Sequence, residues 1–178
     1  TLPTPIDVYA AYDYTVSVST GTDSGRVYPF KSGHFASAGS NSALSWFVDS
    51  GVFGPKDNTR PTSTWNSSSY MRDVVFESDG TTTSSSIFDG STTGIVAEPG
   101  GYDYNLGTRF QPNTDGEITA LRVFAAVGES GDHTAYLFNN DTGQTFGPWT
   151  WNYTGDNTWK TFTLPTPIDV FDEYDYTV

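Results

Sequence analysis

The sequence predicts an all-β fold, an antiparallel β-sandwich of jelly-roll type. Three observations carry that expectation. β-branched and aromatic residues, the latter at 16%, are spread between 18 glycines and 10 prolines, a distribution that favours strands and turns. No apolar period of helical spacing lasts beyond a couple of turns. Short runs of alternating polarity recur, beginning with Tyr12, Tyr14, Val16 and Val18 set against Asp13, Thr15, Ser17 and Ser19.

Taken in order, Pro3 and Pro5 lack a backbone donor, so the opening stretch enters a sheet at a strand end or along an edge. Residues 12–19 read as a strand with one aromatic, aliphatic face buried. Gly21 to Gly25 is a turn, and residues 26–30 are a short strand interrupted by Pro29. Residues 31–69, rich in Ser, Gly, Asn and Pro, predict a long packed loop region with short strands. Its anchors are Leu44, Trp46, Phe47, Val52, Phe53 and Trp65. Residues 70–76 are a firm strand, whereas 78–86 carry no strong apolar anchor and read as a linker. New structure opens at Ile87-Phe88 and Ile95-Val96 around a glycine-flanked turn. Residues 104–110 are a strand, 113–116 a turn, and 117–127 a long strand that is apolar on both faces and therefore central. Strands at 133–138, 145–152 and 158–164 complete the set, with a hairpin signal at 139–143.

The two ends of the chain repeat each other. Residues 1–16 and 163–178 are offset by 162 positions and differ only at 9, 10 and 11 against 171, 172 and 173. A period of that length marks neighbouring units of a tandem array. Domains begin and end at linkers, yet the linker-like stretch here lies in the middle. The chain therefore reads as a phase-shifted cut through the array. Residues 1–77 are the C-terminal part of one repeat, 78–86 a linker, and 87–178 the N-terminal part of the next; taken whole, they make one permuted sandwich.

Both copies should seek the same place in the sheet, and a closed domain has one such place. The expected assembly residues are Leu2, Ile6, Tyr14 and Val16 in the first copy and Leu164, Ile168, Tyr176 and Val178 in the second. The copy left out would fray, or add as a strand to a neighbouring molecule in a contact that propagates.

A formal charge of −13 excludes nucleic acid as a partner, because phosphates demand a basic face. No apolar run reaches transmembrane length, so no membrane insertion is expected. The absence of cysteine removes disulfides and thiol chemistry. An acidic, Thr-rich composition fits an extracellular or cell-surface setting. The chain carries no signal peptide and starts mid-pattern, so a targeting segment would lie outside it.

Catalysis has little to stand on, with two histidines, no cysteine and no Gly-x-Ser-x-Gly elbow, so no catalytic residue and no enzymatic activity are assigned. His34 and His133 either meet as a metal or hydrogen-bond pair, or each ties down a turn or strand end; two histidines without a third ligand make a poor zinc site. Asp115, Glu117, Asp132 and Asp141 lie at acidic turns that would suit calcium, set against the plainer reading of solvated turn charges. No other cofactor is expected. Trp149, Trp151 and Tyr153 share one face of a strand, with Trp159 nearby. On an outer face that row would stack on the sugar rings of a polysaccharide; on an inner face it is core. Asn66, Asn140 and Asn152 each open an Asn-x-Ser/Thr triplet that fits N-glycosylation.

Put back in phase, the chain resembles a bacterial domain family of unknown function. Residues 105–124 (NLGTRFQPNTDGEITALRVF) are similar to its "LGxxFxxxxxGxIxxIRFY" opening, and 131–138 (GDHTAYLF) to its "GTHxGxLW" strand, departing at the end. Residues 158–168 (TWKTFTLPTPI) resemble "GWQxVxFxxPV", and 14–18 (YTVSV) resemble "YVVSY". Residues 33–36 (GHFA) are similar to "GHYA", and 69–76 (SYMRDVVF) to the terminal "NYWVDVVF". The resemblance implies a β-sandwich module found in tandem in large secreted or surface proteins, and implies no activity. The expected function is a structural repeat unit of an extracellular filament, stalk or giant adhesin, joined to neighbouring repeats or copies of itself by strand complementation. The competing expectation is a carbohydrate-binding module that uses surface aromatics.

Overall fold

The structure, a computed structural model, describes residues 6–7, 14–22, 26–41, 43–80, 83–170 and 175–177. Leu2 and Val178, two of the expected assembly residues, lie outside them. The described residues form fifteen strands: β1 (Ile6–Asp7), β2 (Tyr14–Ser19), β3 (Val27–Phe30), β4 (Gly39–Asn41), β5 (Leu44–Trp46), β6 (Gly51–Pro55), β7 (Arg72–Ser78), β8 (Ser84–Ser85), β9 (Val96–Pro99), β10 (Tyr104–Pro112), β11 (Gly116–Ala125), β12 (Ser130–Asn139), β13 (Thr145–Thr154), β14 (Thr158–Val170) and β15 (Tyr176–Thr177). There is no helix among the described residues, and the fold is all-β with antiparallel multistranded sheets, as a β-sandwich requires.

One sheet runs β1-β14-β11-β7-β8 and places β11 at its centre, where a strand apolar on both faces belongs. Ile118, Leu121 and Val123 of β11 are fully buried, as are Phe124 and Ala125 within a few per cent. A register shift between Ile118 and Ala120 breaks the strict alternation of this strand. The second sheet runs β13-β12-β15-β10-β5-β4, with β2 also pairing β10 and β12 and with β6 on β10. β3 and β9 form a separate ribbon. Val74, Phe76, Ile118, Leu121 and Ile168 from the first sheet share one core with Val18, Phe110, Leu137, Phe146 and Trp149 from the second.

Three features differ from what the sequence suggests. β14 does not stop at Leu164 but continues to Val170. Its partners on β11 jump from Thr163 to Ile168 across one register shift, so Pro165 and Pro167 fall where the ladder is interrupted and no donor is missed. β2 is buried on its polar face as well: Thr15, Ser17 and Ser19 are all inaccessible. The loop after β6 crosses that region, with Lys56 Nζ donating to the Thr20 carbonyl and Tyr136 Oη to Asn58 Oδ1. The linker-like stretch, finally, contains β8, which pairs Ser85 with Phe76 and Ser84 with Glu77. Strands from both sides of it interleave, β7 beside β11 and β2 between β10 and β12.

Candidate functional site

The site grows out of one gap in the second sheet. One edge of β10 is taken by β6, from Tyr104↔Pro55 to Thr108↔Gly51, and then by β5 at Gln111↔Ser45. The other edge faces β2, from Asn105↔Ser19 to Phe110↔Tyr14. β12 closes the gap from the far side, from Ala135↔Val18 to Asn139↔Tyr14. A slot between β10 and β12 thus holds the end of the first copy.

β15, from the second copy, has the same partners. Thr177 is registered to Arg109 and Phe138, and Tyr176 to Phe110 and Asn139. These are the residues registered to Thr15 and Tyr14. β2 and β15 thus share their register partners on β10 and β12. The side chains agree: Thr15 Oγ1 donates to Asn140 Oδ1 at 2.5 Å, and Asn140 Nδ2 donates to Thr177 Oγ1. Both threonines are fully buried.

The other part of the repeat pairs with itself. β1 lies parallel to β14 with Ile6↔Ile168 and Asp7↔Asp169 in register, each residue beside its own copy. The second copy takes the inner place against β11, where Ile168 is 1% exposed, and the first copy takes the sheet edge. Asp169 faces Glu117 across the ladder and Glu117 faces Glu77, so acids stand opposite one another on consecutive strands.

A buried ionic knot ties β7 of the first sheet to β12 and β13 of the second. Arg72 Nη2 is 3.0 Å from Glu129 Oε1, Tyr153 Oη donates to the same oxygen at 2.9 Å, and the Ala126 N–H reaches Glu129 Oε2 at 3.3 Å. His133 stacks on Tyr153 with centroids 3.7 Å apart and holds Nε2 3.6 Å from Glu129. Burial, and next the Glu129 carboxylate, push the Tyr153 phenol well above its ordinary range. No part of the Arg72, Glu129 or His133 side chains meets solvent.

The structure scatters the remaining sequence-selected residues. His34 packs on Phe35 and Phe88 while His133 packs on Tyr153, so the two histidines have different neighbours and form no pair. Trp149 and Tyr153 are 4% and 7% exposed and belong to the core; Trp151 and Trp159 are partly buried against it. That row faces inward. Asp115 and Glu117 lie at the start of β11, Asp132 on β12 accepts from Asn152, and Asp141 lies in the β12–β13 turn. Among the described residues no group of three or more carboxylate or histidine side chains is placed to hold a metal ion. Asn66 and Asn152 are exposed, whereas Asn140 is half-buried in the slot contacts.

Sequence reasoning found both copies but not their hosts. Arg109, Phe110, Phe138, Asn139 and Asn140 become partners only through register, which a single sequence does not display. The knot left a signal: Arg72 and Glu129 are charges set next to apolar strand runs.

A family model described as a domain of unknown function, DUF4082, matches residues 90–178, half of the 178-residue chain. No curated protein and no solved structure matches the chain. The matched residues run from the turn before β9 through β15, and so contain β10 and β12, the walls of the slot, and the second copy. The chain belongs to the DUF4082 family, a family of domains of unknown function.

Proposed function

We propose that this chain is a structural repeat unit of an extracellular filament, stalk or giant adhesin, whose units join head-to-tail by strand complementation. The observation that carries the reading is the slot between β10 and β12, to which Thr15 and Thr177 are registered with identical partners. β2 begins in the first copy and runs on from Tyr14 through Ser19, and β15 lies in the second copy. In an array the second copy runs on into a segment like β2 and claims the slot of the next unit on equal terms. Covalent linkage makes that exchange effective, because a short strand binds weakly unless its effective concentration is high.

The cysteine-free sequence gives a clean test. Arg109 is the partner of both Thr15 and Thr177, and antiparallel partners lie within disulfide reach. The Arg109→Cys/Thr15→Cys variant should oxidise to a cross-linked monomer. The Arg109→Cys/Thr177→Cys variant should give dimers and longer ladders on a non-reducing gel at high protein concentration. Cross-linking of that second variant only within monomers would sink the head-to-tail reading.

A further inference from the structure

Away from the slot, four aromatic rings close a square. Tyr28 lies 6.1 Å from Tyr70, Tyr70 lies 6.0 Å from Phe53, Phe53 lies 5.9 Å from Tyr104, and Tyr104 returns to Tyr28 at 6.0 Å. Successive planes meet at 65°, 69°, 88° and 87°, so neighbouring rings stand to one another much as the adjoining walls of a box. The walls are rigidly sourced: Tyr28 from β3, Phe53 from β6, Tyr104 from β10, and Tyr70 from the residues leading into β7.

The box encloses space. These rings line a cavity of about 370 Å³ together with Phe30, Trp65, Glu98 and Leu106. Leu106 and Tyr70 are buried at 1% and 4%, while Trp65 is 59% exposed. The floor is therefore apolar and the mouth aromatic. A satellite core of this size would have filled its own interior.

What suits such a space follows from its charge. Ring faces are electronegative, and with adjoining centroids about 6 Å apart around the square its centre lies about 4 Å from each, within cation–π range. Glu98 adds a full negative charge to the lining. Its field is felt inside: burial, and next Glu98, raise the Tyr28 phenol above its ordinary range. The chain's own cations in ring contact lie elsewhere, Arg109 over Phe47 and Arg122 over Trp159. Arg26, on the flank of β3, is held by Asp103 at 3.0 Å. A primary ammonium would give up strong hydration and need acceptors for three N–H bonds, which a ring-walled space supplies poorly. A quaternary ammonium has no N–H to satisfy.

We propose that the box of Tyr28, Phe53, Tyr70 and Tyr104 binds compact organic cations of the quaternary ammonium class, with Glu98 at its lining balancing their charge. The inference is independent of the strand slot.

The test is titration calorimetry and intrinsic fluorescence on the whole chain, with choline and tetramethylammonium as probes. The uncharged isostere 3,3-dimethyl-1-butanol and cellobiose serve as controls. Choline should saturate, and the neutral isostere should bind about tenfold more weakly or worse, the loss of a desolvated cation–π interaction. Tyr104→Leu should weaken choline about tenfold or more, while Tyr104→Phe, which keeps the ring, should retain most of the affinity. Glu98→Gln should weaken it severalfold at low salt and less at high salt. Unfolding midpoints of each variant separate lost binding from lost structure. No saturable choline binding by the wild-type chain would overturn the proposal. So would equal affinity for the neutral isostere, or cellobiose binding lost in Tyr104→Leu while choline binds nothing.

Discussion

Arg72 places Nη2 3.0 Å from Glu129 Oε1 with both side chains sealed from solvent, and this pair joins β7 to the β11–β12 connection. Among the described residues nothing accepts from the Arg72 Nε or Nη1. Each charge is therefore paid for mainly by the other, and removing one strands its partner in a low-dielectric interior. Arg72→Met alone should cost about 3–5 kcal/mol in a urea unfolding curve. Arg72→Met combined with Glu129→Gln should recover most of that loss, because a neutral amide can still accept from Tyr153. If the double variant is no more stable than the single one, the charge of Glu129 is not what the arginine compensates.

Asp73 makes stability depend on pH. Its carboxylate accepts the N–H groups of Val74 and Ile87, each at 2.8 Å, and lies 3.1 Å from Arg122. Burial nonetheless pushes it up to about 7, against the downward pull of Arg122 first and then of the Ile87, Val74 and Phe88 amides. The folded chain then holds a proton that the unfolded chain has released, over the window from about 4 to about 7. In that window the folded state binds more protons, so stability falls as pH rises. Full stability is present below pH 4 for this group and is lost as pH passes 7. Asp73→Asn keeps an acceptor for Ile87 and cannot titrate. Its unfolding midpoint should fall less steeply between pH 4 and 7 than that of the wild type, and parallel curves would rule Asp73 out as the source.

The acids facing one another on the first sheet make a third case. Glu77, Glu117 and Asp169 are Cα partners on β7, β11 and β14. Like charges directly opposite in a sheet repel. Glu117→Thr keeps a strand-forming residue and removes the middle charge. It should raise stability by about 0.2–1 kcal/mol. Added sodium chloride should raise the wild-type melting temperature more than that of the variant, since screening relieves only a repulsion still present. Equal salt responses would count against repulsion in this row.

Much of the fold could be read ahead of the structure because its signals are local. Residues 117–127, with apolar residues on both faces, announce a central strand, and the Asn-Asn-Asp-Thr-Gly segment announces the β12–β13 hairpin. The 162-residue offset announces that two segments share one sequence. The place each takes is a matter of register, and register is decided by partners far away in the chain: Thr15 meets Arg109 and Phe138 only when the sheet closes. The strand read over 158–164 runs on past Pro165 and Pro167, because a proline's missing donor is visible in sequence while a register shift that forgives it is not. The aromatic box draws on positions 28, 53, 70 and 104, whose separations show no period. The Trp149, Trp151 and Tyr153 row was seen as one face, but the side of the sheet it occupies depends on what packs beyond it.

Asn140 brings the slot and the glycosylation triplets into conflict. Its Oδ1 accepts from Thr15 and its Nδ2 donates to Thr177. N-glycosylation attaches the sugar at that same nitrogen and adds a bulky, hydrated group. A glycan on Asn140 would displace the second copy's threonine and crowd the β12–β13 turn against the slot. Asn66, exposed in a turn at a φ of 48°, carries no such contact, and Asn152, although it donates to Asp132, is exposed. When the chain is produced in a glycosylating host, peptide mapping should find Asn66 occupied well above Asn140. Replacing the acceptor threonine of the Asn140 triplet, Thr142→Ala, should leave the yield of Arg109→Cys/Thr177→Cys ladders from that host unchanged. A rise in ladders on that substitution would mean that Asn140 does carry sugar and that the slot opens far enough to admit it.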